Sequence, residues 1–277
     1  MPTPVQQGLS TSATVTLGMP QLGGCGLSEG WLQKTCGEIH WRALARSLGR
    51  PAEEWTDAAG QRVYAAFGLV RLSQGRLHLA REGQQLELHS RMAPVGRSQA
   101  WSQHRLHTAD GPIGTLEMLS VFVGRGEDGS NRSVRRVPMR DAAEETSPEA
   151  RALADQARAL RQGTVAADWR TDGEALVYLP CPRGDFNGAG LVYFPSFTAW
   201  SDRALFGWGR LSATDRVVAR ECLFLGNQDI GRPVELLWCC ETGGTAGSRL
   251  EVQVRCPEHR RLLAVVRTTL AEPVNPR

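Results

Sequence analysis

Asn187-Gly-Ala-Gly-Leu-Val-Tyr-Phe-Pro-Ser-Phe-Thr-Ala-Trp-Ser-Asp202 is the stretch on which the fold turns. Glycines and an apolar pair lead into Pro195, a residue favoured in the first turn of a helix because its missing N–H would be unpaired there anyway. The pattern predicts a helix over about 190–206. Strand-like runs follow at 216–225, 234–240, 249–255 and 262–270, separated by turn-forming stretches at 226–232 and 243–247.

The N-terminal half repeats this order. Thr35 and Glu38 have the T-x-x-E form of a capping box, and Trp41, Leu44, Ala45 and Leu48 follow at helical spacing, with Gly49 as the stop. Strand-like runs come next at 62–72, 85–92, 98–108 and 113–124. One helix followed by antiparallel strands, twice over, is an α+β pattern in which each sheet can wrap its helix. It divides the chain into a loose tail (1–17), a first module (18–140), a connector (141–163) and a second module (164–277). The connector's Ala/Arg/Leu-rich segment at 148–163 is expected to be a solvated surface helix.

Composition narrows the function. With 277 residues, 41% apolar and 22% charged, the chain can bury one or two cores. The net charge is +3, and the basic residues are nearly all arginine, with Lys34 the sole lysine. They alternate with acids and form no stripe, which argues against nucleic-acid binding. No run approaches the roughly 18–20 apolar residues that span a bilayer. The tail lacks the marks of a signal peptide. Seven irregularly spaced cysteines without a CxxC pair are expected to be reduced, buried thiols of a cytoplasmic protein. The six histidines form no ligand motif, so no metal is expected.

The quoted stretch resembles the D-x-x-G-I-V-Y-[FY]-x-x-[FY]-x-x-W segment of hot-dog acyl-CoA thioesterases of the 4-hydroxybenzoyl-CoA type, with Gly190, Leu191, Val192, Phe194, Pro195, Phe197 and Trp200 in register. That resemblance implies that the Phe194 backbone amide polarises a thioester carbonyl, helped by the helix dipole. Asn187 stands where those enzymes carry the Asp that drives hydrolysis. An amide can hydrogen-bond a substrate but cannot act as base or nucleophile. Its alternative role is to cap the loop before the helix.

From about Gly18 to Leu270 the chain also resembles the double-hot-dog acyltransferase/decarboxylase family of leinamycin-type polyketide biosynthesis. The shared segments include Gly37-Glu-Ile-His-Trp41, Gly60-Gln-Arg-Val-Tyr-Ala-Ala-Phe67, Leu116-Glu-Met-Leu-Ser-Val-Phe122, Asp185-Phe-Asn-Gly188 and Gly226-Asn-Gln-Asp-Ile-Gly231. The resemblance implies a double hot-dog fold and transfer of an acyl group, with decarboxylation of a malonyl-type thioester, from coenzyme A to an acyl carrier protein. No organic cofactor is implied, and a homodimer is left open. Tyr64 falls at the family's acyl-accepting tyrosine. A phenol has a pKa near 10, so an unassisted one is a weak nucleophile. The plainer alternative is an aromatic packed on a buried strand.

Secondary candidates are Ser120 as a further catalytic group and Gly190, Asp185, Asn227 and His40 as substrate contacts. Three of them have a structural alternative: Ser120 bonding its own backbone, His40 a packed and satisfied core residue, and Asn227, with Asp229, making a turn. Arg97 and Ser98 could touch a pantetheine phosphate, although arginines are common throughout this chain. A thioesterase or dehydratase using Asp185 or His40 as acid or base, or a non-catalytic carrier-binding module, are the competing functions.

Overall fold

Ser28, not Thr35, caps the first helix. Its hydroxyl accepts the Trp31 N–H at 3.2 Å, and α1 runs Glu29–Leu48 before Gly49 ends it in the left-handed region at φ 65°. The capping-box signal at Thr35 lies inside the helix because Leu32 and Cys36 extend the buried stripe one turn upstream, towards His40, Ala43 and Leu44. A computed structural model describes residues 9–138, 146–166, 173–242 and 247–272.

The remaining elements are β1 (Leu9–Thr16), the short pair β2 (Leu22–Gly23) and β3 (Gly26–Leu27), β4 (Val63–Ser73), β5 (Gln85–Val95), β6 (Gln99–Thr108), β7 (Gly111–Gly124), β8 (Arg135–Arg136), α2 (Pro148–Ala166), β9 (Ala175–Tyr178), α3 (Phe194–Gly207), β10 (Val217–Phe224), β11 (Val234–Thr242), β12 (Arg249–Cys256) and β13 (Arg261–Leu270). One antiparallel sheet has the order β1-β5-β6-β7-β4-β10-β13-β12-β11-β9, with β8 paired to the end of β7. The order reads identically outward from the β4–β10 junction, and a helix precedes each junction strand. This is the double hot-dog arrangement. At its centre Leu69 faces Leu223 and Val70 faces Cys222.

Both helices lie on one face of the sheet and touch each other. Gly37 of α1 makes room for α3, since a Cβ there would sit 3.1 Å from the Phe194 ring. The interior between helices and sheet is apolar, with Leu32, Phe67, Val70, Phe197, Trp200, Leu205, Val252 and Val266 all buried. Each such side chain contributes about 1.5–3 kcal/mol.

Two expectations are corrected here. Leu9–Thr16, read as loose tail, is an edge strand in full register with β5 from Leu9↔Met92 to Thr16↔Gln85. Backbone pairing holds it, since none of its side chains is buried. The segment read as a solvated helix is α2, which packs on the opposite face of the sheet. Its Ala150, Leu153 and Ala154 are buried against Leu69, Trp101 and Leu119 of the first half and Leu223 of the second. The i, i+3, i+4 spacing of those residues forms the stripe that makes this contact. The thiols also divide: Cys36, Cys222, Cys239 and Cys256 are buried, whereas Cys25 and Cys181 are exposed.

Candidate active site

A cavity of about 1150 Å³ opens where the halves meet, with Tyr64, Phe67, Val121 and Trp41 from the first half and Asn187, Tyr193, Phe194, Phe224 and Asn227 from the second on its wall. Its form follows from the loop that precedes α3. Asn187 Oδ1 accepts the Ala189 N–H at 3.0 Å and the Leu191 N–H at 3.1 Å. Asn227 Oδ1 accepts the Val192 N–H at 2.9 Å, and the Asp185 carbonyl accepts the Tyr193 N–H at 2.7 Å. Three successive amides are thereby occupied. The next, on Phe194, has no acceptor among the described residues, and Pro195 has no N–H to offer. One free donor remains at the positive end of α3, on a residue that lines the cavity.

Tyr64 stands on β4 just inside the opposite wall, half-buried. The guanidinium groups of Arg62 and Arg125 lie 5.4 and 5.7 Å from its ring centroid. Arg125 also donates to the Ala189 carbonyl and, at 3.1 Å, to Asn131 Oδ1. Asn131 in turn donates to the Gly190 carbonyl at 2.7 Å. These bonds tie the tyrosine's surroundings to the loop that aims the Phe194 amide. Two cations over the ring would stabilise negative charge developing on the phenol oxygen. Tyr193, on the second-half wall, has its phenol pKa pushed up by burial and then by Glu38, so it stays protonated and able to donate.

The other sequence candidates take different places. Asp185 is buried outside the cavity wall, its carboxylate accepting from Trp200 Nε1 at 2.9 Å, the Cys181 N–H at 2.8 Å and Tyr178 Oη at 3.2 Å. It anchors α3. Gly190 turns the loop at φ 70°, and a Cβ there would lie 3.4 Å from the Arg125 guanidinium. Asp229 does more than make a local turn: it accepts from Ser130 Oγ at 2.8 Å and the Asn131 N–H at 2.7 Å, joining the halves.

His40 and Ser120 belong to a buried chain outside the cavity wall. Ser120 Oγ donates to the Ala100 carbonyl at 3.4 Å and so receives the His40 Nε2–H at 2.8 Å. Ser102 then donates to His40 Nδ1 at 2.7 Å and receives the His104 Nε2–H at 2.9 Å, and Ser90 donates to His104 Nδ1 at 2.8 Å. All five donors point one way, which fixes both imidazoles in the same tautomer. Burial lowers the His40 pKa to about 3, with His104 adding to the effect, and burial lowers His104 to about 3. Both rings are therefore neutral. Ser120 thus bonds a histidine and another strand's backbone, not its own.

Arg62 and Arg125 had no functional signal of their own in the sequence, and Tyr193, which falls at the tyrosine of the quoted segment, was not among the sequence candidates. Among the described residues no cluster of three or more His, Cys, Asp or Glu is placed to hold a metal ion, and no helix is long and apolar enough to cross a membrane.

No protein-family model matches the sequence, and no curated protein sequence matches it. Solved structures do. A 12:0-ACP thioesterase from Umbellularia californica superposes with a TM-score of 0.65 at 13% identity, over 94% of this chain and 93% of that one. An acyl-ACP thioesterase from Bacteroides thetaiotaomicron gives 0.61 at 10% identity, over 94% and 97%. A MaoC-like dehydratase from Phytophthora capsici gives 0.52 at 12%, over 96% of each chain. At such identities the likeness is one of fold, and the fold is the double hot dog.

Proposed function

We propose that this protein is an enzyme that binds acyl thioesters in the junction cavity and transfers the acyl group from coenzyme A to an acyl carrier protein. The observation that carries the reading is the pairing of Tyr64, under two guanidinium groups, with a cavity holding one unengaged helix-end amide. In the first step the Tyr64 oxygen attacks the thioester carbonyl, the C–S bond breaks, and the thiol leaves with the phenol's proton. The Phe194 N–H stabilises the oxyanion between. The carrier's thiol then attacks the tyrosyl ester, forming the new thioester and returning a proton to Tyr64. For a malonyl-type group, the C–C bond to the carboxylate breaks first. Its electron pair enters the enolate, carbon dioxide leaves, and the enolate takes a proton from water.

Hydrolysis or dehydration is the second reading, favoured by the fold shared with thioesterases and a dehydratase. Against it, Asn187 has no acidic group, and Asp185 and His40 are buried off the cavity wall with their polar atoms engaged. A third reading is a carrier-binding module without turnover.

Tyr64→Phe removes one oxygen and keeps the ring. Incubating each protein with malonyl-type and simple acyl-CoAs and a carrier protein, with intact-mass readout, separates the readings. Loaded carrier from wild type only, with an acyl mass on the Tyr64 peptide, supports covalent transfer, and the loss should be several orders of magnitude. A loss of about 100–1,000-fold without an adduct assigns Tyr64 a donor role. Free acid as the main product supports hydrolysis, and full transfer by Tyr64→Phe would sink both roles for this tyrosine. No turnover of any thioester supports the binding module.

A further inference from the structure

Arginines in this protein are commonly answered by carboxylates. Arg71 meets Glu117 at 2.6 Å, Arg267 meets Glu251 at 2.7 Å and Glu221 at 3.0 Å, Arg132 meets Asp229 at 2.9 Å, and Arg220 meets Asp202 at 2.7 Å. One stretch of the cavity rim departs from this habit. Arg135 and Arg136 on β8 and Arg158 and Arg161 on α2 all line the cavity. The only acidic partner of the four among the described residues is Asp155, 3.2 Å from Arg158 in an exposed pair one helical turn away. Arg161 spends one N–H on the Phe224 carbonyl at 3.2 Å, which holds it at the β10 end of the junction. The guanidinium groups of Arg135 and Arg136 have no hydrogen-bond or ion-pair partner among the described residues.

Two successive elements, β8 and α2, have thus brought like charges to one edge of the cavity. Partial burial, and after it the charges of Arg161 and Arg158, lower the pKa of Arg136. The walls below this rim are largely apolar, including Leu119, Val121, Phe197 and Leu223. An apolar slot crowned by unanswered guanidinium groups suits a ligand with a polyanionic head and an uncharged stalk, since guanidinium forks match phosphate oxygens. The cluster is compact, spanning a two-residue strand and one turn of helix, which fits closely spaced phosphates better than the extended acidic face of a protein.

We propose that Arg135, Arg136, Arg158 and Arg161 form the seat for the nucleotide phosphates of a coenzyme A thioester, with the pantetheine arm running down the cavity. The identity of the stalk rests on the proposed thioester function; the phosphate seat is tested without turnover. Titration calorimetry of the full chain with coenzyme A, adenosine 3′,5′-bisphosphate and pantetheine reads it directly. Coenzyme A should bind at least about tenfold more tightly than pantetheine, with the advantage shrinking as salt rises. Arg136→Ala with Arg161→Ala should lower coenzyme A and bisphosphate affinity by about tenfold or more and leave pantetheine unchanged. The corresponding lysine pair should recover part of the loss. Arg136 and Arg161 stand on the surface of the rim, with only their guanidinium ends partly covered, so the fold should tolerate both pairs. Equal binding of coenzyme A and pantetheine, or an alanine pair without effect, overturns the proposal. So does loss of carrier-protein binding with coenzyme A binding intact, which would give the rim to an acidic protein surface. Bisphosphate binding that depends on the arginines, with no thioester turned over, would sink the enzymatic reading and leave the seat standing.

Discussion

The two helices that precede the junction strands begin in opposite ways. At α1, Ser28 caps the backbone, and Glu29 places a carboxylate in the first turn. Glu29 Oε2 lies 3.0 Å from Arg220 Nε, an ion pair off hydrogen-bond angle, and Arg220 Nη1 donates to Asp202 at 2.7 Å and Thr268 at 3.1 Å. Burial pushes the Glu29 pKa up and Arg220 pulls it back. At α3, Tyr193 provides no side-chain cap, the first turn has no acid, and Phe194, whose N–H is unengaged, lines the cavity. One helix end is sealed by the protein's own charges and the other is left open. A symmetric topology therefore carries an asymmetric chemistry, and the difference resides in a few polar side chains.

The seal should break hardest. Arg220→Met strands two carboxylates, one of them buried, and should cost about 3–5 kcal/mol in denaturant unfolding. Loss under 1 kcal/mol would mean that the α1 end does not depend on the pairing. Next comes acid. The first half holds His40 and His104 in its interior, whereas the described buried residues of the second half, among them Leu236, Val252, Val254 and Val266, include no histidine. Both histidines have folded-state pKa values near 3, below the ordinary 6.5, so the unfolded chain binds the extra protons. Their contribution is complete above about pH 6.5 and falls away as the pH drops towards about 3. The slope should be about 1.4 kcal/mol per histidine per pH unit. Hydrogen exchange at pH 5 should show β5, β6 and β7 loosening before β11, β12 and β13, and the reverse order would contradict this account.

The loop before α3 should respond less. Asn187→Ala removes the acceptor for two amides and should cost about 0.5–2 kcal/mol, with transfer falling as the Phe194 N–H loses its aim. Asn187→Asp keeps an acceptor for both amides, so it should fold like wild type and gain hydrolysis; rapid hydrolysis of simple acyl-CoAs by wild type, unchanged by the substitution, would count against the transferase reading. Smallest of all is Gly37→Ala. Helix propensity gains about 0.5–1 kcal/mol while the new methyl presses on Phe194. Stability should stay within about 1 kcal/mol of wild type, and KM should rise a few-fold as the ring shifts towards the cavity.

The fold was legible where a pattern is local. Helix and strand periods gave the order of elements, and Pro195 marked the first turn of α3. The expected span begins at 190, but the bonds of the Leu191 and Val192 amides to Asn187 and Asn227 hold the chain out of the helix there. β1 was not legible, because Leu9–Thr16 buries no side chain and owes its conformation to pairing with β5. The start of α1 was missed because the box at Thr35 and Glu38 has the form of a cap, whereas the buried Leu32 and Cys36 carry the helix back to Ser28. For the site, the motif located Asn187 and Phe194, and the loop-capping alternative for Asn187 is the role its bonds to the Ala189 and Leu191 amides display. The serine–histidine chain draws on α1, β5, β6 and β7, and no spacing rule connects residues so far apart. Arg125 had no mark at all until the fold carried it over Tyr64.

The junction also sets a schedule for the growing chain. β4 finds its second neighbour, β10, roughly 150 residues later in the sequence, as the Leu72↔Arg220 pairing shows. At ordinary rates of synthesis that is on the order of ten seconds, during which β4 presents a bare row of backbone donors and acceptors. Such an edge recruits other strands readily. Expression at high levels should therefore lose material to aggregates during synthesis rather than after release, and a chaperone that shields this nascent edge should raise the yield without changing the stability of the finished protein.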